Sequence, residues 1–278
     1  MQQYFHYAEP VLSLRHRNPW TRTLIDVLPP DGGICPLNMQ SMVDVNTMPS
    51  TRLNPLHIHT GAVRVFSEPV PYLIAWEMQA RLHEARLLDL QPDTVLILEH
   101  PPVYTLGRRT KPAHWGGSES ALCADGAELH HVNRGGSVTF HAPGQIVVYP
   151  VLRLERHATG PRQLVWLLEE VIIQVLELWN VTGSRIVGKP GVWIMTPEPK
   201  KIAFLGIRIE HGVTLHGFSL NVDLDLTPFQ RIHPCGFPDC RVTSMATVRR
   251  TAVPVDAVKQ KLAQTFAEVF AFNWSPVA

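Results

Sequence analysis

Four cysteines in 278 residues, at Cys35, Cys123, Cys235 and Cys240, are too few and too irregularly spaced for a disulfide framework. Charge imbalance is missing as well. Lys plus Arg number 25 against 24 Asp plus Glu, so no global field draws the chain to nucleic acid or to an anionic membrane. No uninterrupted apolar run reaches the roughly 20 residues of a membrane span. The opening "MQQYFHYAEPVLSLRHR" lacks the basic-then-apolar order of a secretory signal. Arg15, Arg17 and Arg22 outnumber nearby acids, as in an organelle transit peptide, but the surrounding prolines spoil an amphipathic helix. These absences lead us to expect a cytoplasmic protein with reduced thiols that meets its partners through a local surface, with neither nucleic acid nor membrane among them. Apolar material for a core is plentiful, at 45% of residues.

Residues 1–60 carry Pro10, Pro19, Pro29, Pro30, Pro36, Pro49 and Pro55 and show no sustained periodicity. Such a stretch buries too little to offset its ordering entropy, so we expect a disordered or loosely packed extension. Met39, Met42 and Met48 lie inside it and offer downstream translation starts. Residues 61–278 read as one folded domain. Helical spacing is expected over 72–90, with Leu73, Trp76, Ala80, Leu87 and Leu88 as the apolar positions, over 161–180 behind Pro161, and over 255–272, where Val258, Leu262, Phe266 and Val269 share a face. Strand-length runs fall at 94–100, 145–152, 191–195, 201–209 and 213–224. Helices and strands mix without regular βαβ alternation, which predicts an α+β fold with a mixed or antiparallel sheet flanked by helices.

Three stretches carry chemistry. "NRGGSVTFHAPGQ" (133–145) holds Gly135, Gly136 and Gly144, where backbone can approach a ligand closely, with Arg134 and His141 as polar handles at either side. It matches no nucleotide-binding glycine pattern, and a plain hairpin turn is the simpler reading from spacing alone. In "KKIAFLGIRI" (200–209), strand alternation puts Lys201 with Ala203, Leu205, Ile207 and Ile209, and Lys200 with the face that ends in Arg208. A desolvated Lys201 would serve as a base, although parity alone leaves two solvated charges at a strand end as the plainer outcome. "RIHPCGFPDC" (231–240) sets Cys235 between proline and glycine, on a turn where a thiol is accessible and the following backbone N–H groups have room to face an oxyanion. A zinc site from His233, Cys235 and Cys240 would have the spacing H-x-C-x4-C, unlike paired C-x2-C knuckles, and would need His211 or His216 besides. A nucleophile there has Lys201, His141, His216 and His233 as possible bases; a buried structural cysteine is the competing reading.

With "EHPPVYTLGRRT" (99–110), "RGGSVTFHAPGQIVVYPVL" (134–152), "GVWI" (191–194), "KIAFLGIRI" (201–209), "LHGFSLNVDLDLTPF" (215–229) and "RIHPCG" (231–236), the chain resembles the lipoyl(octanoyl) transferase family from about residue 62 onward. The resemblance implies a biotin/lipoate ligase-like fold. It places the family's nucleophile on Cys235 and its lysine on Lys201. Substrate contacts fall on Arg134, Gly135, Gly136, Ser137, Val138, Thr139, Phe140 and His141, on Phe204, Leu205 and Gly206, and on Gly217, Phe218 and Ser219. The implied donor is octanoyl-acyl carrier protein. The implied acceptors are lipoyl domains of 2-oxoacid dehydrogenase complexes and the glycine cleavage H protein. No metal or other cofactor is implied. His233 stands where family members often have asparagine, and Cys240 has no counterpart. An ATP-dependent ligase of the same fold, a non-catalytic acyl-carrier binder and a thioester hydrolase remain as alternatives.

Overall fold

The computed structural model describes residues 58–275, so the expected extension over 1–60 lies almost wholly outside the described residues. In chain order the elements open with β1 (His59–Val65), α1 (Tyr72–Leu87), β2 (Asp93–Leu98), β3 (Val103–Leu106), α2 (Glu119–Leu122), β4 (Glu128–His131), β5 (Val138–His141) and β6 (Gln145–Val151). They continue with α3 (Pro161–Glu177), β7 (Ser184–Ile186), β8 (Lys189–Ile194), β9 (Lys200–Glu210), β10 (Val213–Asn221), β11 (Arg241–Val242), α4 (Met245–Arg249), α5 (Val255–Phe270) and β12 (Phe272–Ser275). Nine strands form one sheet in the order β12-β1-β2-β6-β10-β9-β8-β7, with β11 attached to β9. The β12, β1 and β2 strands are parallel, and the run from β2 to β7 is antiparallel. A second sheet, β4-β3-β5, stands apart. This is the mixed sheet of an α+β fold.

Side-chain alternation explains the layers. In β2, Val95 and Ile97 join the large cluster built on α3 and α5, while Leu96 and Leu98 join the cluster under α1. In β6, Ile146 and Val148 take the first side and Val147, Tyr149 and Val151 the second. The expected face of α5 is the observed one: Val258, Leu262 and Phe266 are buried and Val269 packs against them.

Helix α1 departs from expectation. Leu73 and Leu88, placed on its apolar stripe, are 54% and 64% exposed. The buried face instead carries Tyr72, Ala75, Gln79, Leu82, His83 and Arg86, the same helical spacing read in other residues. Its polar members are paired: Gln79 accepts from the His216 N–H at 2.8 Å, and Arg86 Nε donates to Asp93 Oδ1 at 2.6 Å. Buried polar groups with partners carry no large desolvation penalty, so an apolar stripe is a poor guide here. Asp93 also receives His157 Nε2 at 2.7 Å and the Arg153 N–H at 2.8 Å, which locks the end of α1 to the sheet.

Candidate active site

Strand β9 organises the site. On one side it pairs with β8, and along most of its other edge with β10; where β10 ends, β11 takes over opposite Lys200 and Lys201. Lys201 is 3% exposed, whereas Lys200 is half-buried, so the buried member of the pair is the one strand parity favoured. The Lys201 ammonium donates to the Pro190 carbonyl at 2.7 Å and lies over the rings of Trp193 and Phe204, at 5.0 and 5.1 Å from their centroids. Its remaining direction is filled by sulfur: Nζ stands 3.2 Å from Cys235 Sγ, 34 residues along the chain. A cation with these partners is held in one orientation.

Cys235 sits on a tight turn (Pro234–Gly236) with φ +61, in the left-handed region that non-glycine residues seldom enter. The following Gly236 has φ +78, and a Cβ there would stand 2.9 Å from the His114 ring. Glycine is required at that position by both conformation and space. The His114 carbonyl accepts from the His233 N–H at 2.7 Å, and its ring Nδ1 lies 2.7 Å from Ser137 Oγ. His114 therefore ties the cysteine turn to the glycine-bearing loop. One expectation fails at this turn. The Gly236 and Phe237 N–H groups donate to the His233 and Pro234 carbonyls, at 2.8 and 3.3 Å, and do not face the site.

The glycine-bearing loop is no simple hairpin. Gly135 packs flat on β9, where a Cβ would meet the Ile207 carbonyl at 2.8 Å and where a Cβ on the facing Gly206 would lie 3.1 Å from the Gly135 carbonyl. Arg134 is buried and satisfied by Thr105 and by the Gly135 carbonyl: Nε to Thr105 Oγ1 at 3.0 Å, Nη2 to the Thr105 carbonyl at 2.6 Å, Nη1 to Gly135 at 2.9 Å. Burial pushes its guanidinium below the ordinary value. It lies close enough to Cys235 for charge on the sulfur to act on it.

Beside Cys235 opens a cleft of about 500 Å3, continuous with solvent. Its walls come from Arg134, Gly136, Ser137, Val138, Thr139 and His141, from Phe204, Leu205 and Gly206 of β9, and from Gly217, Phe218 and Ser219 of β10. Gly135 and Phe140, expected there, do not line it. Gly135 is consumed by packing on β9, and Phe140 turns the other way, into a cluster with Tyr104 and Phe229. Tyr72, Val147, Tyr149 and His216 complete the walls. Tyr72 has no signal in the sequence beyond the helical spacing of its segment, and Tyr149 lies in the matching stretch 134–152 beyond the residues to which substrate contacts are assigned. His216 stood in the sequence as a base or metal ligand.

The histidines are poor bases where they stand. His141 Nδ1 lies 2.6 Å from Gln145 Oε1, His216 Nε2 lies 2.7 Å from Asn133 Oδ1, and His100 bridges the Val70 carbonyl and the Tyr149 hydroxyl at 2.6 and 2.7 Å. Burial holds His216 down at about 3 and His100 at about 4, and drives His141 well below its ordinary value. All three are neutral at physiological pH. His233 remains half-buried beside the turn, with its backbone given to His114. The side chain brought onto the thiol is that of Lys201. The Cys240 thiol is pushed up to about 11, chiefly by burial and then by negative charge on Cys235, so it stays protonated. A sulfur beside a cation at the edge of a largely apolar cleft can attack an acyl carbon and hold the acyl group.

A family model described as the lipoyl protein ligase A/B catalytic domain matches residues 71–267. An octanoyltransferase of Chloroflexus aggregans is 41% identical over 202 residues, which cover 72% of this chain and 91% of that protein. An octanoyltransferase of Thermobifida fusca is 45% identical over 186 residues, covering 64% and 75%. Among solved structures, a bipartite lipoate protein ligase studied with its E2 lipoyl domain from Thermoplasma acidophilum superposes with a TM-score of 0.63 at 15% identity, covering 80% of this chain and 87% of that one. That likeness is one of fold.

Proposed function

The chain belongs to the octanoyltransferases of the lipoyl protein ligase A/B catalytic family, and on that footing we propose that Cys235 carries the octanoyl group as a thioester between a carrier-borne donor and a lysine acceptor. The enzyme transfers octanoyl groups in protein lipoylation. The observation that carries the mechanism is the Lys201 Nζ to Cys235 Sγ distance of 3.2 Å beside the cleft.

In the first half-reaction the Cys235 thiolate, paired with the Lys201 ammonium, attacks the thioester carbonyl of octanoyl-acyl carrier protein. The new C–S bond forms as the carrier's C–S bond breaks, and the departing carrier sulfur takes its proton from Lys201. In the second half-reaction the ε-amine of a lysine on a lipoyl domain attacks the acyl-enzyme. Lys201 receives the amine's proton and the Cys235 thiolate leaves. Thioester exchange is nearly balanced and amide formation runs downhill, so the sequence closes without ATP. The acceptors we assign are the lipoyl domains of 2-oxoacid dehydrogenase complexes and the glycine cleavage H protein.

Val138, Phe204, Leu205 and Phe218 supply the apolar wall for the acyl chain, each buried methylene contributing about 0.8 kcal/mol. Gly136, Ser137, Gly206 and Gly217 line the cleft, and Arg134 places a buried positive charge near the sulfur. Arg108, Arg109 and Lys111 are exposed beside the glycine-bearing loop, to which the backbone N–H groups of Arg108 and Arg109 donate. Among the described residues their side chains have no ion pair. They suit the phosphodiester of a carrier's prosthetic arm. We assign residues 61–278 to the catalytic unit and a cytoplasmic setting, where the thiol stays reduced. Among the described residues no helix is long and apolar enough to cross a membrane.

The test is intact mass after mixing the protein with octanoyl-acyl carrier protein. An octanoyl adduct on wild type that is absent from Cys235→Ala supports the reading. An adduct that persists in Cys235→Ala moves the nucleophile elsewhere, and its absence from folded, active wild type removes the covalent mechanism.

A further inference from the structure

Behind Lys201 lies a buried carboxylate that the two half-reactions leave unused. Glu169, on α3, accepts the Gly191 N–H through Oε1 at 2.8 Å. The carbonyl of that same peptide unit belongs to Pro190, and it accepts from Lys201 Nζ at 2.7 Å. No peptide bond among the described residues is cis, so this N–H and C=O point in opposite directions. Carboxylate, peptide dipole and ammonium therefore stand head to tail, and each hydrogen bond polarises the peptide in the sense that strengthens the other.

The backbone at this point is adapted to the arrangement. Gly191 has φ +119, and a Cβ there would lie 2.5 Å from the Ala203 carbonyl and 2.5 Å from Lys201 Cε. The β8–β9 ladder loses its register immediately afterwards, between Val192 and Trp193. The second oxygen of Glu169 lies 3.3 Å from Arg185 Nε, a nitrogen that forms no aligned hydrogen bond; the directed contact of the carboxylate is Gly191. Burial raises the Glu169 carboxyl above its ordinary value, while the Gly191 N–H and the charges of Arg185 and Lys201 oppose that rise.

We propose that Glu169 is a positioning residue for the Lys201–Cys235 pair, acting through the Pro190–Gly191 peptide to hold the Lys201 ammonium on the sulfur. This rests on Lys201 being the group that handles the proton. The charges facing Glu169 are Arg185 of β7 and Lys201 of β9, with Glu170 drawing on the far side of Arg185 at 2.7 Å. Those facing the dyad are Glu169, the Cys240 thiol, Arg134 across the cleft and Lys189, 6.0 Å from the Trp193 ring.

The experiment compares Glu169→Gln and Glu169→Ala with wild type and Lys201→Ala in the full chain. It measures the rate of octanoyl adduct formation, the pH profile of Cys235 alkylation by iodoacetamide, and Tm. Glu169→Ala is expected to acylate about ten-fold more slowly, and Glu169→Gln, which keeps an acceptor for Gly191, about three-fold. Both alkylation profiles move toward that of Lys201→Ala, with the Tm of Glu169→Gln close to wild type. Alkylation profiles that superimpose on wild type overturn the proposal, including when Tm is lowered, since Glu169 would then be a packing residue only. A Lys201→Ala profile identical to wild type would instead sink the role of Lys201 itself, which separates the two failures. If Glu169→Ala does not fold, the Glu169→Gln profile decides.

Discussion

Replacing Lys201 by methionine separates catalysis from folding. A cation 3.2 Å from a thiolate, at an effective dielectric of about 20, attracts it by roughly 5 kcal/mol. Part of that attraction is offset by the desolvation of a side chain only 3% exposed. A net loss of about 2–4 kcal/mol from the acylation barrier corresponds to a rate roughly 30- to 1000-fold lower. Stability behaves differently. Methionine fills a similar volume against Trp193 and Phe204, removes a buried charge, and leaves Cys235 as a neutral thiol that packs as a small hydrophobe. The Pro190 carbonyl loses its donor, costing about 1–3 kcal/mol, and the relieved desolvation offsets this. Tm should move by less than about 5 °C in either direction. The assay is a time course of octanoyl adduct by intact mass, with calorimetry on the same sample. Acylation within about ten-fold of wild type, or a Tm loss well beyond 5 °C, would refute the reasoning.

The buried carboxylate of Asp93 governs behaviour in acid. Burial pushes it up, and hydrogen bonds from His157, Arg86 and the Arg153 N–H more than reverse this, leaving it below its ordinary 3.8. A depressed carboxyl contributes stability that is fully present above the unfolded value and lost as pH falls through the folded one. Tm should therefore drop on acidification below about pH 4. Asp93→Asn, which leaves Arg86 with only the exposed Asp89 as a charged partner, should lose about 3–5 kcal/mol near neutrality and show a flatter acid limb; an unaltered acid limb would refute the assignment. Iodoacetamide near pH 8 should label Cys235 and spare Cys240, whose thiol is held at about 11; peptide mapping that finds Cys240 labelled first contradicts this. Charge reversal of Arg108 and Arg109 together should raise KM for the carrier-borne donor about ten-fold or more while sparing a small octanoyl thioester. Equal losses for both donors would show that the loop shapes the cleft and does not dock the carrier.

Much of the site was legible because its parts follow local rules. A cysteine between proline and glycine reads as a turn, a glycine pair reads as close backbone approach, and strand parity distinguishes Lys201 from Lys200. The remainder depends on distance in space. His114 lies in a segment with no signal of its own and matters because Gly236 stacks on its ring. Glu169 falls within an apolar helical run, and nothing local shows that its carboxylate reaches a peptide in the second strand of the next hairpin. Helix α1 defies its apolar pattern for a related reason: periodicity counts apolar residues, whereas its buried face mixes Tyr72, Ala75 and Leu82 with the polar Gln79, His83 and Arg86. The second sheet escaped because β3, β4 and β5 are only four residues each, too short to show an alternation.

Strand β11 is two residues long, and it stands between the cysteine turn and the body of the protein. Arg241 and Val242 pair with Lys200 and Lys201, and the Thr243 N–H closes on the Lys201 carbonyl at 2.9 Å. The chain that bears the nucleophile is thus pinned to the very residue that bears the base. A slip of one residue in this pairing would carry the turn about 3.3 Å along β9, as far as the whole gap between nitrogen and sulfur. The spacing of the reacting pair is in that sense a matter of β-sheet register, set by the shortest strand among the described residues.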